Sequence, residues 1–144
     1  MNIRKAELKD ANLIADLEAK CLKNPWPLSQ IEYEISSNPC AITIIAENDG
    51  ELLGYLDYLI TFDSSSICRI AVYHEHRNKG IASSLLEEMD KNLKENSVSW
   101  STLEVRISNE NAINLYKKRG YELITTKKAY YDDGEDALYM VRCY

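Results

Sequence analysis

Hydrophobic residues recur along this chain at two spacings. Leu13, Ile14, Leu17 and Cys21 fall near the 3.6-residue period of a helix, with Asp10 ahead of them as an N-cap. Pro25 and Pro27 end that helix by about residue 23, because two prolines so close cannot continue it. A second short helix is predicted over residues 28–36, where Ile31 and Ile35 lie four apart, and Pro39 closes the region. Residues 41–47 are rich in β-branched side chains and read as a strand. Asn48-Asp49-Gly50 is a hairpin turn, and residues 51–62 pair back. A second turn is expected at 64–66, and 67–73 completes the meander. Ile81, Leu85, Met89 and Leu93 recur every four residues and predict an amphipathic helix over 79–95. A strand over 100–107 follows, then a helix over 109–119 stopped by Gly120. Residues 121–131, a turn at Asp132-Asp133-Gly134 and residues 137–143 form a closing hairpin. With a short strand at 2–6, the order is strand, two helices, three strands, helix, strand, helix, two strands. That is an α/β (α+β) domain with a central, mixed but mostly antiparallel sheet of about seven strands flanked by about four helices. The helix between the fourth and fifth strands predicts a parallel crossover there.

Composition narrows the class. The 144 residues fit one domain spanning 1–144, and 45% apolar with 28% charged is a soluble profile. No apolar run approaches the roughly 20 residues that cross a bilayer, and MNIRKAELKD does not resemble a secretory signal. The chain therefore reads as cytoplasmic, without a membrane partner. Cys21, Cys40, Cys68 and Cys143 are scattered, with no CxxC and no Cys/His cluster. They read as buried free thiols, and no metal is expected. A net charge of −6 argues against direct nucleic-acid binding and suits a basic partner.

The candidate chemistry begins at the turn from His74 to Ala82. It lies between a predicted strand and a predicted helix, whose first turn offers unpaired N–H groups and a partial positive charge to an anion. Small residues at Gly80 and Ala82 let a ligand approach the backbone, and Arg77 and Lys79 add positive charge. His74 and His76, two apart in a turn, read as exposed.

The stretch ICRIAVYHEHRNKGIASSLLEEM, followed by STLEVRISNENAINLYKKRGYE, resembles the acetyl-CoA site of the GNAT acetyltransferases. Arg77, Gly80 and Ala82 fit that family's R/Q-x-x-G-x-G/A pattern, with His74 standing where proline is common. The resemblance implies that Asn78, Lys79, Gly80, Ile81, Ala82 and Ser83 hold a pyrophosphate by backbone amides. It also implies that Ile70-Ala71-Val72 pairs with the pantetheine arm like an added strand. LEVRISN, the LY pair seven residues on, the Pro-Trp pair near residue 26 and YY followed by DG and EDA resemble the ribosomal-protein-alanine N-acetyltransferases (RimI) within that superfamily.

By that resemblance Glu104 is the general base and Tyr116 the general acid, and Asn109 bonds the cofactor while also suiting a helix N-cap. The chemistry agrees: a substrate ammonium must lose a proton before it attacks a thioester, and the departing thiolate is helped by a donor. No covalent acyl-enzyme is required, and Cys68 has apolar neighbours that imply burial. Trp26, Tyr33, Tyr130 and Tyr131 lie where family enzymes build a peptide groove. Glu135 and Asp136 read equally as contacts for a basic peptide or as a solvated turn. The resemblance implies acetyl-CoA as cosubstrate and, as acceptor, the N-terminal alanine of a small-subunit ribosomal protein. A GNAT enzyme acting on a small amine or another protein, or a non-catalytic acyl-CoA-binding module, stay open as alternatives.

Overall fold

The computed structural model describes residues 1–144. In chain order its elements are β1 (Asn2–Lys5), a 3-10 turn (Leu8–Asp10), α1 (Ala11–Cys21), α2 (Leu28–Ser36), β2 (Ala41–Asn48), β3 (Glu51–Thr61) and β4 (Ser64–Val72). A second 3-10 turn (His74–His76), α3 (Ile81–Glu95), β5 (Trp100–Arg106), α4 (Glu110–Lys118), β6 (Glu122–Lys127) and β7 (Ala137–Cys143) complete it. One seven-stranded sheet has the order β1-β2-β3-β4-β5-β7-β6, so the last strand inserts between β5 and β6. Every pairing is antiparallel except β4 with β5, the predicted crossover around α3.

Alternation along the strands divides the core between two faces. β3 sends Leu56 and Tyr58 toward α3 and α4, where they meet Leu85, Met89, Leu93, Tyr116 and Met140. It sends Tyr55 the other way, into a smaller cluster with Ile14, Leu17 and Ile31 of α1 and α2. The predicted α1 stripe holds at Ile14 and Leu17, but Leu13 is exposed. Asp10 does not cap α1 with its side chain; its carboxylate takes the Arg4 guanidinium and the Glu7 N–H.

The first hairpin turns as predicted, with Asp49 and Gly50 both at positive φ (50° and 81°), as a type I′ turn requires. The second does not. The chain reverses at Phe62-Asp63, Phe62 standing 95% exposed at φ 56°, and the serines at 64–66 are already strand. Ser65 is buried because these three residues carry the whole parallel ladder to β5: Ser64 with Trp100, Ser65 with Ser101, Ser66 with Thr102. The thiols are all free but not all buried: Cys143 is exposed and the other three are half-buried.

Candidate active site

The β4–β5 ladder stops at Ser66 and Thr102, although β4 runs on to Val72 and β5 to Arg106. A bulge at Cys68 coincides with this parting, since Arg69 pairs with Asp57 but Ile67 with Tyr58. From there on the β5-facing edge of β4 has no strand beside it. Ile70, Ala71 and Val72 lie on this open stretch, in register with Leu56, Tyr55 and Gly54 of β3. Gly54 is required there, because a Cβ would come within 2.8 Å of the Ala71 oxygen.

The turn after β4 leads to the helix start. Asn78 and Gly80 both adopt positive φ, 63° and 77°. The α3 ladder begins with Ser84 N–H donating to Gly80 O (3.0 Å), which leaves the amides of Ile81, Ala82 and Ser83 unpaired at the helix end. Open backbone along β4 and free amides at α3 fit an elongated ligand with amides in its arm and a pyrophosphate at its end, as acetyl-CoA has. Arg77 plays a second part: its Nε donates to Val72 O (3.1 Å), tying the turn to the end of β4 and engaging one of the carbonyls expected for the arm. Lys79 is exposed. His74 is exposed as expected, but His76 is half-buried and pairs with Glu51 Oε1 at 2.8 Å. Asn109 caps α4, its Oδ1 accepting from Ala112 N–H at 3.2 Å.

Glu104 lies two residues past the last β5 residue paired with β4, on the face opposite buried Leu103 and Val105. Its Oε1 accepts from Lys127 Nζ at 2.8 Å, a partner no sequence spacing announced. Tyr116 is 4% exposed, in the larger core cluster, with its ring edge-to-face against Tyr121 at 5.7 Å. Burial raises its pKa and so holds the proton on the phenol oxygen, which is not among the enclosed polar atoms lacking a partner.

Among the residues expected to line a peptide groove, Trp26 is held by its backbone and its ring. Its N–H donates to Glu18 Oε1 (2.8 Å), and its ring lies 4.9 Å from the Arg69 guanidinium. Glu18 is fully buried and also takes Arg69 (2.5 and 3.0 Å) and the Tyr55 hydroxyl, while Arg69 reaches Asn24 O. Tyr130 and Tyr131 stand edge-to-face at 5.0 Å, with Arg106 4.0 Å over the Tyr131 ring. Tyr33 is exposed on α2, and no hydrogen bond or ring contact joins it to this group. Glu135 and Asp136 are used within the loop rather than left to a peptide. Glu135 accepts from Ser108 N–H and Arg106, which hold its carboxyl down to about 2; Asp136 accepts from Ala129 N–H and Lys128.

The fold also assembles a group that sequence reading missed. Glu34, Asp57 and Cys68 bring their ligand atoms within 4.8 Å of one another beside the β4 bulge. Asp57 accepts from Thr43 Oγ1 on one oxygen (2.8 Å), while its other oxygen is enclosed with no donor. Burial, then the Glu34 carboxyl, push the Asp57 acid up to about 8, and burial pushes the Cys68 thiol up to about 12. The signals available were Asp57 inside the apolar run LLGYLDYLI and Glu18 beside Leu17 on the apolar side of its helix.

Three comparisons bear on this geometry. The family model described as Acetyltransferase (GNAT) family matches residues 11–121. A protein of Bacillus subtilis (strain 168), provisionally named ribosomal protein bS18-alanine N-acetyltransferase, is 35% identical over 139 residues, covering 96% of this chain and 92% of its own. An N-alpha-acetyltransferase of Sulfurisphaera tokodaii is 34% identical over 151 residues, covering 96% and 90%. The crystal structure of the ribosomal-protein-S18-alanine N-acetyltransferase from Escherichia coli superposes with a TM-score of 0.91 at 26% identity, over 99% of this chain and 92% of that one.

Proposed function

Because this chain belongs to the acetyltransferase (GNAT) family, we propose that it moves the acetyl group of acetyl-CoA to the α-amine of a protein N-terminus, the N-terminal alanine of a small-subunit ribosomal protein. The observation that carries the reading is the position of Glu104 beside the point where β4 and β5 part. A thioester whose arm lies along Ile70 and Ala71, with its pyrophosphate at residues 78–83, ends in that gap.

Glu104 accepts the proton of the incoming ammonium, directly or through one water. The freed amine attacks the thioester carbonyl; a C–N bond forms, the C–S bond breaks, and the sulfur leaves as a thiolate. Tyr116 donates a hydrogen bond to that sulfur, and its burial keeps the proton in place to donate. Neither step calls for a Lewis acid, so metal-free transfer is part of the proposal. Trp26, fixed by Glu18 and Arg69, and the Tyr130-Tyr131 pair frame the peptide end from the α1–α2 and β6–β7 sides.

An α-amine, with pKa about 7.7–8.0, loses its proton more easily than a lysine at about 10.4, by roughly 3 kcal/mol. One carboxylate base therefore suits an N-terminus. The net charge of −6 suits a basic acceptor, and such an acceptor puts the enzyme in the cytoplasm; no helix is long and apolar enough to cross a membrane. The test pairs two peptides, one with a free N-terminal alanine and one with that end blocked and a lysine inside. Acetylation of the first alone is expected, and equal acetylation of both removes the N-terminal assignment. Mass spectrometry of ribosomal proteins from a deletion strain tests the acceptor: an unacetylated small-subunit protein beginning with alanine is expected.

A further inference from the structure

The Glu104 carboxylate and the rings of Tyr139 and Tyr130 converge on one cation, and the cation belongs to the protein. Lys127 Nζ lies 2.8 Å from Glu104 Oε1, 4.6 Å from the Tyr139 ring centroid and 5.4 Å from that of Tyr130. The sheet produces this arrangement. Glu104 of β5 pairs with Tyr139 of β7, Tyr139 with Thr125 of β6, and Lys127 is two residues further along β6 on the same face. An anionic oxygen with ring faces around it is the environment an alkylammonium selects. A general base must stand about 2.6–3.2 Å from the nitrogen it deprotonates, and Lys127 Nζ already stands at that distance.

Resting on the assignment of Glu104 as the base, we propose that Lys127 is an internal occupant of the acceptor amine's seat, and that the acceptor binds by displacing the Lys127 ammonium from Glu104. Lys127 thereby sets the affinity for the acceptor. A peptide enters only if its own ammonium and its contacts along the groove outcompete the lysine, so weakly held amines are rejected. The lysine is free to leave, because it is the last residue of β6 and its side chain is 39% exposed. It is a poor nucleophile while seated: the Glu104 hydrogen bond raises its pKa and keeps it an ammonium. An N-terminal amine in the same place gives up its proton far more readily. Only the fraction of enzyme with the seat open binds, which lowers apparent affinity by that fraction. For contacts of this exposure the reduction is about three- to tenfold.

Steady-state kinetics at saturating acetyl-CoA, with an alanine-starting octapeptide as acceptor, test the proposal. Lys127→Met keeps the stem and removes the charge; its acceptor KM falls about three- to tenfold, its acetyl-CoA KM is unchanged, and Lys127→Arg returns the acceptor KM toward wild type. An acceptor KM in Lys127→Met that is unchanged or higher overturns the proposal. A measurement on the unmutated enzyme guards against a variant that does not fold. In side-chain ¹⁵N spectra of the CoA complex, the Lys127 ammonium resonance moves when the free peptide is added and stays when the N-acetylated peptide is added. A resonance indifferent to both also overturns it. Glu104→Gln separates the two levels. If it keeps wild-type turnover, the base assignment falls and the seat with it. If it is inactive while Lys127→Met is silent, the seat alone falls.

Discussion

Asp57→Asn should stabilise this protein more with every unit of rising pH between 5 and 8. Asp57 is fully buried in β3, and Thr43 Oγ1 donates to one of its oxygens. Its other oxygen has no donor, and the groups gathered around it are the Glu34 carboxyl and the Cys68 thiol, with Arg69 held by Glu18 instead. Desolvation and Glu34 push its pKa up to about 8. In the unfolded chain it titrates near 4. Between those values the folded state keeps a proton that the unfolded state has lost. Stability is therefore full below about pH 4 and is drained as pH rises toward 8, by at most about 1.4 kcal/mol per unit. Asparagine keeps the acceptor for Thr43, offers Glu34 an N–H, and has nothing to titrate. The variant-minus-wild-type difference should thus grow by roughly 2–3 kcal/mol from pH 5 to pH 7, equivalent to a widening of about 4–10 °C in Tm for a chain of this size. Urea unfolding of both proteins at half-unit pH intervals measures it. The subtraction removes the opposite slope from Asp10, whose depressed pKa costs stability only as pH falls toward and below 4. A difference constant from pH 5 to pH 8 would refute the reasoning, for Asp57 would then be ionised throughout, with a cation beside its free oxygen.

Tyr116→Phe should lower kcat by about 10²–10⁴-fold with little change in acetyl-CoA affinity, because in the proposed mechanism the phenol acts on a sulfur that is released only during reaction; near wild-type kcat would return Tyr116 to a core role. Gly80→Val places a β-branched residue at φ 77° beside the free α3 amides, and calorimetry should find CoA binding lost while circular dichroism reports an intact fold; unchanged affinity would remove the pyrophosphate from this turn. Glu18→Gln leaves the Arg69 guanidinium without its buried partner and should cost about 3–5 kcal/mol in chemical denaturation, and Trp26, no longer held, should raise the acceptor KM. An unaltered midpoint would mean that Arg69 finds another anion.

Local signals were legible and distant ones were not. The helix at 28–36 and the strand at 137–143 fall where spacing and turn residues predicted them, because each is set by neighbours in sequence. The triple serine misled. Serines favour turns when the chain is free to choose, but here Ser65 is committed to a parallel ladder with a strand 36 residues away, and Phe62 takes the left-handed turn position despite its size. The insertion of β7 between β5 and β6 has no local signature either. The turn from His74 to Ala82, Glu104 and Tyr116 could be singled out from the sequence as candidates, but what surrounds them could not. Glu18 meets Arg69 across 51 residues and Lys127 meets Glu104 across 23, and neither polar group differs in sequence from a solvated one.

The site follows from one irregularity in the sheet. A parallel ladder between β4 and β5, had it continued past Ser66 and Thr102, would have satisfied every backbone group on both edges and left no room between them. The bulge at Cys68 ends that possibility and leaves peptide groups along Ile70 and Ala71 in need of partners. A ligand arm that carries amides meets that need as a strand would, so binding energy is available from backbone alone and puts few demands on side chains. Under the proposed function, the same parting decides where chemistry occurs. β5 remains anchored on its other edge to β7, so Glu104 is held rigidly at the lip of the gap, paired with Tyr139. Because β7 lies between β5 and β6, Lys127 has to reach diagonally across Tyr139 to touch that carboxylate. A strand-held carboxylate, a partly exposed lysine and an aromatic surface between them are therefore products of strand order, and under the proposed function an acceptor amine arriving over the gap meets all three at once.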